Sequence, residues 1–290
     1  MSETQAAQGF RPDNIRFNEL TIRNWLVNRS ANTARAYRAD VAAFFALHPV
    51  LIGDVTLDQL QSWDAAMRDA GLSTATRARR AACLRSLLSF AHKMGLTERN
   101  VGALLATEKP SITSAEHIID KATVNRMIAG ETDPRRRALL LLLYRSGLRA
   151  SEAANLRWLD VTPPKRNDPA LANILGKGAK RRVVQIPRVV WQELADAAGS
   201  PRPEAHVLTK ACGGKLDASW IFRAVRTAAR RVGIAGNVSP HWLRHTHASH
   251  ALDDGCKLHV LRESLGHASL NTTTRYVHAR KGEGSASFIR

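Results

Sequence analysis

LANILGKGAKRRVVQIP, residues 171–187, is where the period of this chain changes. Two short apolar, β-branched runs stand on either side of GKGAK, whose residues favour a turn. That pattern predicts an antiparallel hairpin. Outward in both directions the apolar residues recur at helical spacing. The expected fold class is therefore mainly α with a small antiparallel β-sheet.

N-terminal to the hairpin, residues 1–14 are polar, and 15–106 read as helices throughout. NELTIRNWLVNR carries Leu20, Ile22, Trp25 and Leu26 at roughly helical spacing. NTARAYRADVAAFFALH follows, with Ser30 or Asn32 as N-cap and Tyr37, Val41, Phe44 and Phe45 inward. A third helix starts at Thr56 and stops at Gly71, and a fourth is bracketed by Ser73 and Gly95. The fourth carries Arg77, Arg79, Arg80 and Arg85 on its first half, which reads as a DNA-facing basic stripe. TEKPSITSAEH, residues 107–117, is polar and lacks an apolar period, as a linker does. Beyond it, IDKATVNRMIAG, DPRRRALLLLLYRSG and RASEAANLRWLDV each predict a helix. After the hairpin come RVVWQELADAAG, ASWIFRAVRTAARRVG, SPHWLRHTHASHALDDG, KLHVLRESLGH and LNTTTRYVHA.

The 290 residues carry 43 Lys+Arg against 25 Asp+Glu, a net charge of +18. Residues 1–110 hold 14 basic and 10 acidic side chains, and the remaining 180 residues hold 29 and 15. A basic excess clustered in this way attracts polyanions by counterion release, which points to nucleic acid. Cys83, Cys212 and Cys256 lie far apart and form no CxxC pair, which fits a reducing cytosol. The start MSETQAAQGF reads without a basic-then-apolar leader. The longest apolar run, ALLLLLY at 138–144, is far short of the roughly 20 residues of a membrane span. No phosphate-binding GxxxxGK[ST] loop and no dense carboxylate cluster occurs. Chemistry on phosphodiesters would then fall to side chains alone, with no metal and no cofactor.

HWLRHTHASH at 241–250 holds four of the 11 histidines and suggests a metal site. Helix geometry disperses them. At about 100° per residue, His241, Arg244 and His245 share a face, while His247 and His250 lie about 120° and 180° from His241. His241 and His245 have i,i+4 spacing, but Trp242 stands where a zinc protease motif needs Glu. Of the three tyrosines, Tyr37 and Tyr144 read as core, whereas Tyr276 follows NTTTR in a polar segment and is the candidate nucleophile.

Five phrases in order, SGLRASEAANLRW (146–158), GKGAKRR (176–182), SPHWLRHTHASH (239–250), LGHASLNTT (265–273) and RYVH (275–278), resemble the tyrosine recombinases, the phage-integrase and Xer-type family. NTARAYRADVAAFF resembles that family's core-binding domain, so the resemblance covers about 15–280. It implies two domains forming a C-shaped clamp. A helical DNA-binding domain would occupy 15–106, a linker 107–117, a catalytic domain 118–282 and a tail 283–290.

The resemblance further implies site-specific recombination of double-stranded DNA through a 3′-phosphotyrosine on Tyr276 and a Holliday junction. In that scheme Arg149 and Arg244 clamp the phosphate. Lys177, with Lys180 as the alternative, protonates the leaving 5′-oxygen. His241 bonds the phosphate or relays the tyrosine proton, His267 contacts the same phosphate, and Glu152 orients its neighbours. Lys180 and Arg181 join the four N-terminal arginines as DNA contacts. The implied assembly is a homotetramer on synapsed sites, with accessory DNA-bending proteins as further candidate partners and no membrane. The implied setting is the cytoplasm, in association with the nucleoid, for a protein encoded by a prokaryote or a mobile element. A DNA-binding relative that has lost catalysis is the alternative.

Overall fold

The structure, a computed structural model, describes residues 12–108, 117–176, 181–199 and 201–266. It divides into two compact units, Met1–Ile112 and Thr113–Arg290.

Unit 1 is built of α1 (Pro12–Leu26), α2 (Ala31–Leu47), α3 (Leu57–Asp69) and α4 (Thr74–Lys93). Local chemistry starts three of these helices. The Ser30, Thr56 and Ser73 hydroxyls each accept an N–H from the first turn, and Gln59 completes a capping box on α3. The core gathers Phe44, Leu60, Trp63, Leu84 and Leu87, with Phe44 edge-on to Trp63 at 5.4 Å. Trp25 stacks on Tyr37 at 5.3 Å. On α1 the inward face differs from the expectation: Leu20 is exposed, while Asn18, Thr21 and Trp25 are buried. Asn18 turns in because its amide closes a loop, donating to the Val50 carbonyl at 2.8 Å and accepting from the Ile52 N–H at 2.9 Å.

Unit 2 comprises α5 (Lys121–Ala129), α6 (Pro134–Ser146), α7 (Ala150–Asn155), β1 (Val161–Thr162), β2 (Ala170–Leu175), β3 (Arg181–Ile186), α8 (Arg188–Ala198), α9 (Ala218–Arg231), α10 (Pro240–Asp253) and α11 (Leu258–Leu265). The strands form one antiparallel sheet in the order β1-β2-β3. The 171–187 hairpin is therefore present, with Ile174 opposite Arg182 and Leu175 opposite Arg181. On β2, Ala170, Ala172 and Ile174 face the core; on β3, Val184 and Ile186 do. The run at 138–144 is buried all round as the centre of α6.

RASEAANLRWLDV was expected as one helix, but α7 stops at Asn155. Beyond it the backbone pairs with a distant segment instead: the Leu156 carbonyl accepts from the Val207 N–H at 2.8 Å, and the Trp158 N–H donates to the Ala205 carbonyl at 3.1 Å. Those partners, and β1 pairing with β2, outweigh the local helical spacing. Among the described residues, no helix is long and apolar enough to cross a membrane.

Candidate active site and nucleic-acid interface

The site in unit 2 forms where three helices end or begin. α6 terminates on Gly147, whose φ of 61° is the left-handed cap that glycine tolerates. Buried Leu148 follows, and Arg149 is the N-cap residue of α7. α11 ends in the same way on Gly266, with φ 63°. α10 brings His241 and Arg244 to this meeting point.

Glu152 is the hub. It is buried, and its carboxylate accepts four hydrogen bonds: from the Arg149 N–H and Nη1 at 2.8 Å each, and from Arg182 Nη1 and Nη2 at 2.9 and 2.8 Å. Arg244 Nη1 lies 4.0 Å from the same carboxylate. Burial alone would raise the Glu152 pKa; the bonds from Arg182 and the Arg149 N–H outweigh it and hold the carboxyl below the usual range. Three guanidiniums around one carboxylate leave an excess of two positive charges, which suits a phosphate.

Arg244 is almost fully buried, its Nη1 donating to the Gly147 carbonyl and its Nη2 to the Leu265 carbonyl at 2.6 Å. Arg149 is about a third exposed, so its fork retains an open edge. His241 meets solvent over part of its surface, with its ring packed against protein and stacked on His245, ring centres 5.7 Å apart. Crowding by the protein, and then the charges of Arg244 and Arg149, keep its pKa below the ordinary value, so the ring is neutral near pH 7 and can accept a proton. The other two histidines of α10 serve α6. His247 Nδ1 donates to the Tyr144 carbonyl at 2.7 Å, and His250 Nδ1 bonds the Tyr144 hydroxyl at 2.9 Å.

Glu152 also borders an open cleft of about 640 Å³, whose wall includes Asn155, Arg181, His206 and Lys215. The structure thus brings Arg149, Glu152, His241 and Arg244 together, and places Arg181 at the adjoining cleft. Lys177, Lys180, His267 and Tyr276 lie outside the described residues. Among the described residues, no group of three His, Cys, Asp or Glu is placed to hold a metal ion.

Arg182 was not among the sequence candidates. Its signal was present in the strand: it falls on the inward parity of Val184 and Ile186, where a charge requires a buried partner.

The α4 arginines are engaged with partners inside unit 1. Arg77 is 8% exposed and pairs with Asp64 at 3.5 Å and Glu108 at 2.8 Å. Arg79 grips buried Asp40 with both nitrogens, Arg80 lies 3.6 Å from Asp40, and Arg85 donates to the Leu105 carbonyl at 3.0 Å. Buried carboxylates need cations: α4 supplies them to Asp40 on α2, and adds Arg77 to the Arg68 that already pairs with Asp64 on α3 at 2.6 Å. Arg77 therefore has no free face for a phosphate, whereas the Arg79 side chain is 46% exposed and retains one.

Comparison with known proteins follows the same division. Residues 115–283 match the phage integrase family, and residues 25–95 match the phage integrase N-terminal SAM-like domain. The tyrosine recombinase XerC of Corynebacterium efficiens is 34% identical over 266 residues, covering 87% of this chain and 83% of that protein. The tyrosine recombinase XerC of Xylella fastidiosa is 35% identical over 259 residues, 86% of each chain. Among solved structures, the Tn1549 transposon integrase in complex with circular intermediate DNA superposes with a TM-score of 0.72 at 18% identity, covering 96% of this chain and 99% of that one. A lambda integrase dimer bound to a core site gives 0.72 at 15% identity, covering 93% and 97%. At such low identity these two speak for the fold alone. Through the family match over most of unit 2 and the similarity to XerC over most of the chain, this protein belongs to the phage integrase family of tyrosine recombinases.

Proposed function

We propose that this protein is a site-specific DNA recombinase that cleaves and rejoins double-stranded DNA through a phosphotyrosine, without metal or nucleotide. The observation that carries this reading is the gathering of Arg149 and Arg244 at Glu152, with His241 three residues before Arg244 on α10. In the step proposed, the Tyr276 phenol oxygen bonds to phosphorus and the bond to the 5′-oxygen breaks. Arg149 and Arg244 stabilise charge on the non-bridging oxygens, as guanidinium forks do. A free phenol has a pKa of about 10, so it needs a base; neutral His241 lies beside the clamp to take the proton. Lys177 or Lys180 on the hairpin gives a proton to the leaving oxygen, and His267 joins the phosphate contacts. A 5′-hydroxyl from a second duplex then reverses the step, so the bond energy is retained.

Segment 15–106 serves as the DNA-gripping domain and 118–282 as the catalytic one. Two duplexes and two successive exchanges call for four protomers and a Holliday junction, with accessory bending proteins as optional partners in the nucleoid.

The test is a nicked suicide duplex carrying the recombination site, incubated with chelator. The wild type forms a covalent protein–DNA band resistant to SDS, and Tyr276→Phe binds the DNA without forming it. Absence of the adduct from wild type on its true site refutes the reading and leaves a DNA-binding protein without catalysis.

A further inference from the structure

Arg182 closes a ring of contacts that the proposed chemistry does not by itself require. Its Nη1 and Nη2 fill one side of the Glu152 carboxylate. Its Nε donates to the Ser264 carbonyl at 2.8 Å. Arg149 occupies the other side of Glu152, and its Nη2 reaches the Gly266 carbonyl at 3.5 Å. The Arg182 stem lies directly against Gly266: a Cβ there would sit 3.0 Å from Cδ and 3.2 Å from Nε. Arg149 and Arg182 thus share one carboxylate and one turn, residues 264–266.

A carboxylate offers roughly four lone-pair sites, and Glu152 has four donors, two from each arginine. Its plane is therefore fixed. The planar Arg182 guanidinium is fixed in turn by its third bond, to Ser264. Removing Arg182 empties two of the four sites, leaving the carboxylate the Arg149 N–H and Nη1, with Arg244 4.0 Å away, so its plane is less constrained. Through Arg182, β3 is tied both to Glu152 on α7 and to the end of α11.

We propose that Arg182 is a positioning residue for strand cleavage, holding Glu152 so that Arg149 presents its open edge to the scissile phosphate. This rests on the reading of Arg149 as a phosphate clamp given above. Arg182 itself touches no substrate in this scheme; it acts through Glu152 and Arg149.

The experiment uses the full chain on nicked duplexes whose scissile group is either a phosphodiester or a methylphosphonate. The methylphosphonate lacks the negative charge that a guanidinium clamp serves. Single-turnover rates of adduct formation are measured for wild type, Arg149→Ala, Arg182→Ala and Arg182→Lys. On the phosphodiester, Arg182→Ala slows cleavage about 100-fold, the loss that follows from misplacing a reacting group by about 1 Å. DNA affinity stays within about twofold of wild type, because a phosphate-positioning defect leaves the other backbone contacts intact. The decisive quantity is the methylphosphonate-to-phosphodiester rate ratio. Relative to wild type it rises in Arg149→Ala and, in the same direction by about tenfold or more, in Arg182→Ala. Arg182→Lys falls between, since one ammonium cannot reach Glu152 and Ser264 together. It also provides the measurement if the alanine variant does not fold. A purely structural role lowers both rates alike and leaves the ratio unchanged. An unchanged ratio, or wild-type cleavage by both Arg182 variants, overturns the inference while the recombinase reading stands. Failure of wild type to form any adduct overturns both, and an unchanged ratio in Arg149→Ala overturns the clamp and this inference together.

Discussion

Lowering the pH should destabilise unit 2 through His247, by an amount set by its surroundings. The ring packs beneath Gly147, and its Nδ1 is committed as donor to the Tyr144 carbonyl. Burial, opposed only by that bond and assisted by the Arg244 charge, pushes its pKa down to about 4. The unfolded chain takes up the proton near about 6.5, so protons favour the unfolded state below that pH. The neutral ring's contribution is complete above about pH 6.5 and is lost as the pH falls toward about 4, where the folded state also protonates. A difference of about 2.5 pKa units at about 1.36 kcal/mol per unit amounts to about 3 kcal/mol in full, of which about 2 kcal/mol is lost by pH 5. His247→Asn supplies the control, because its amide N–H can still donate to Tyr144 while it cannot titrate. Urea unfolding of both proteins at pH 7.5 and pH 5, with hydrogen exchange across α6 and α10 assigning the transition to unit 2, gives the difference. Wild type should lose about 2 kcal/mol more than His247→Asn between those pH values. Parallel losses would refute the placement of a buried neutral ring at this position.

Two further substitutions test other parts of the structure. Gly147→Ala forces an L side chain into φ 61° and sets its Cβ 2.5 Å from His247 Cδ2 and 2.9 Å from Leu265 Cδ2, so it should cost about 2–4 kcal/mol and abolish cleavage; thermal unfolding and adduct formation check it, and a variant within about 0.5 kcal/mol of wild type would contradict the packing. Arg77→Ala leaves Asp64 and Glu108 without their shared cation, so it should lower the melting temperature of unit 1 yet leave the salt dependence of DNA binding unchanged; a slope reduced by about one would show that Arg77 contacts phosphate after all.

Local signals were the most legible. Thr56 and Ser73 announced two helix starts, and Ser30 is the N-cap of the pair Ser30 and Asn32 for a third, because capping depends on one side chain and the next turn. The hairpin was visible because a two-residue period cannot be mistaken for a helical one once turn residues separate the runs. Long-range pairing was not legible. Nothing within RASEAANLRWLDV reveals that Leu156 and Trp158 will find Val207 and Ala205, so the segment reads as one longer helix. The same limit applied to charge. Nothing local reveals that Arg77 is buried against Asp64, or that Arg79, though still half-exposed, pairs with buried Asp40. At the site, motif order singled out Arg149, Glu152, His241 and Arg244, but their common centre on Glu152 and its tie to Arg182 depend on β3 meeting α7, a contact 30 residues apart in the chain.

Arg244 turns two unfavourable helix ends into a favourable one. α6 and α11 both point their C-termini at the place where the phosphate is proposed to sit, and each end carries about half a negative charge. Left bare, those ends would repel an anion. By donating to Gly147 and Leu265, Arg244 caps both with a single cation whose charge does not depend on pH. The cation that meets both ends is a side chain that hardly meets solvent. A lysine in its place would keep the charge but could not span both carbonyls, so one helix would again present its negative end to the DNA.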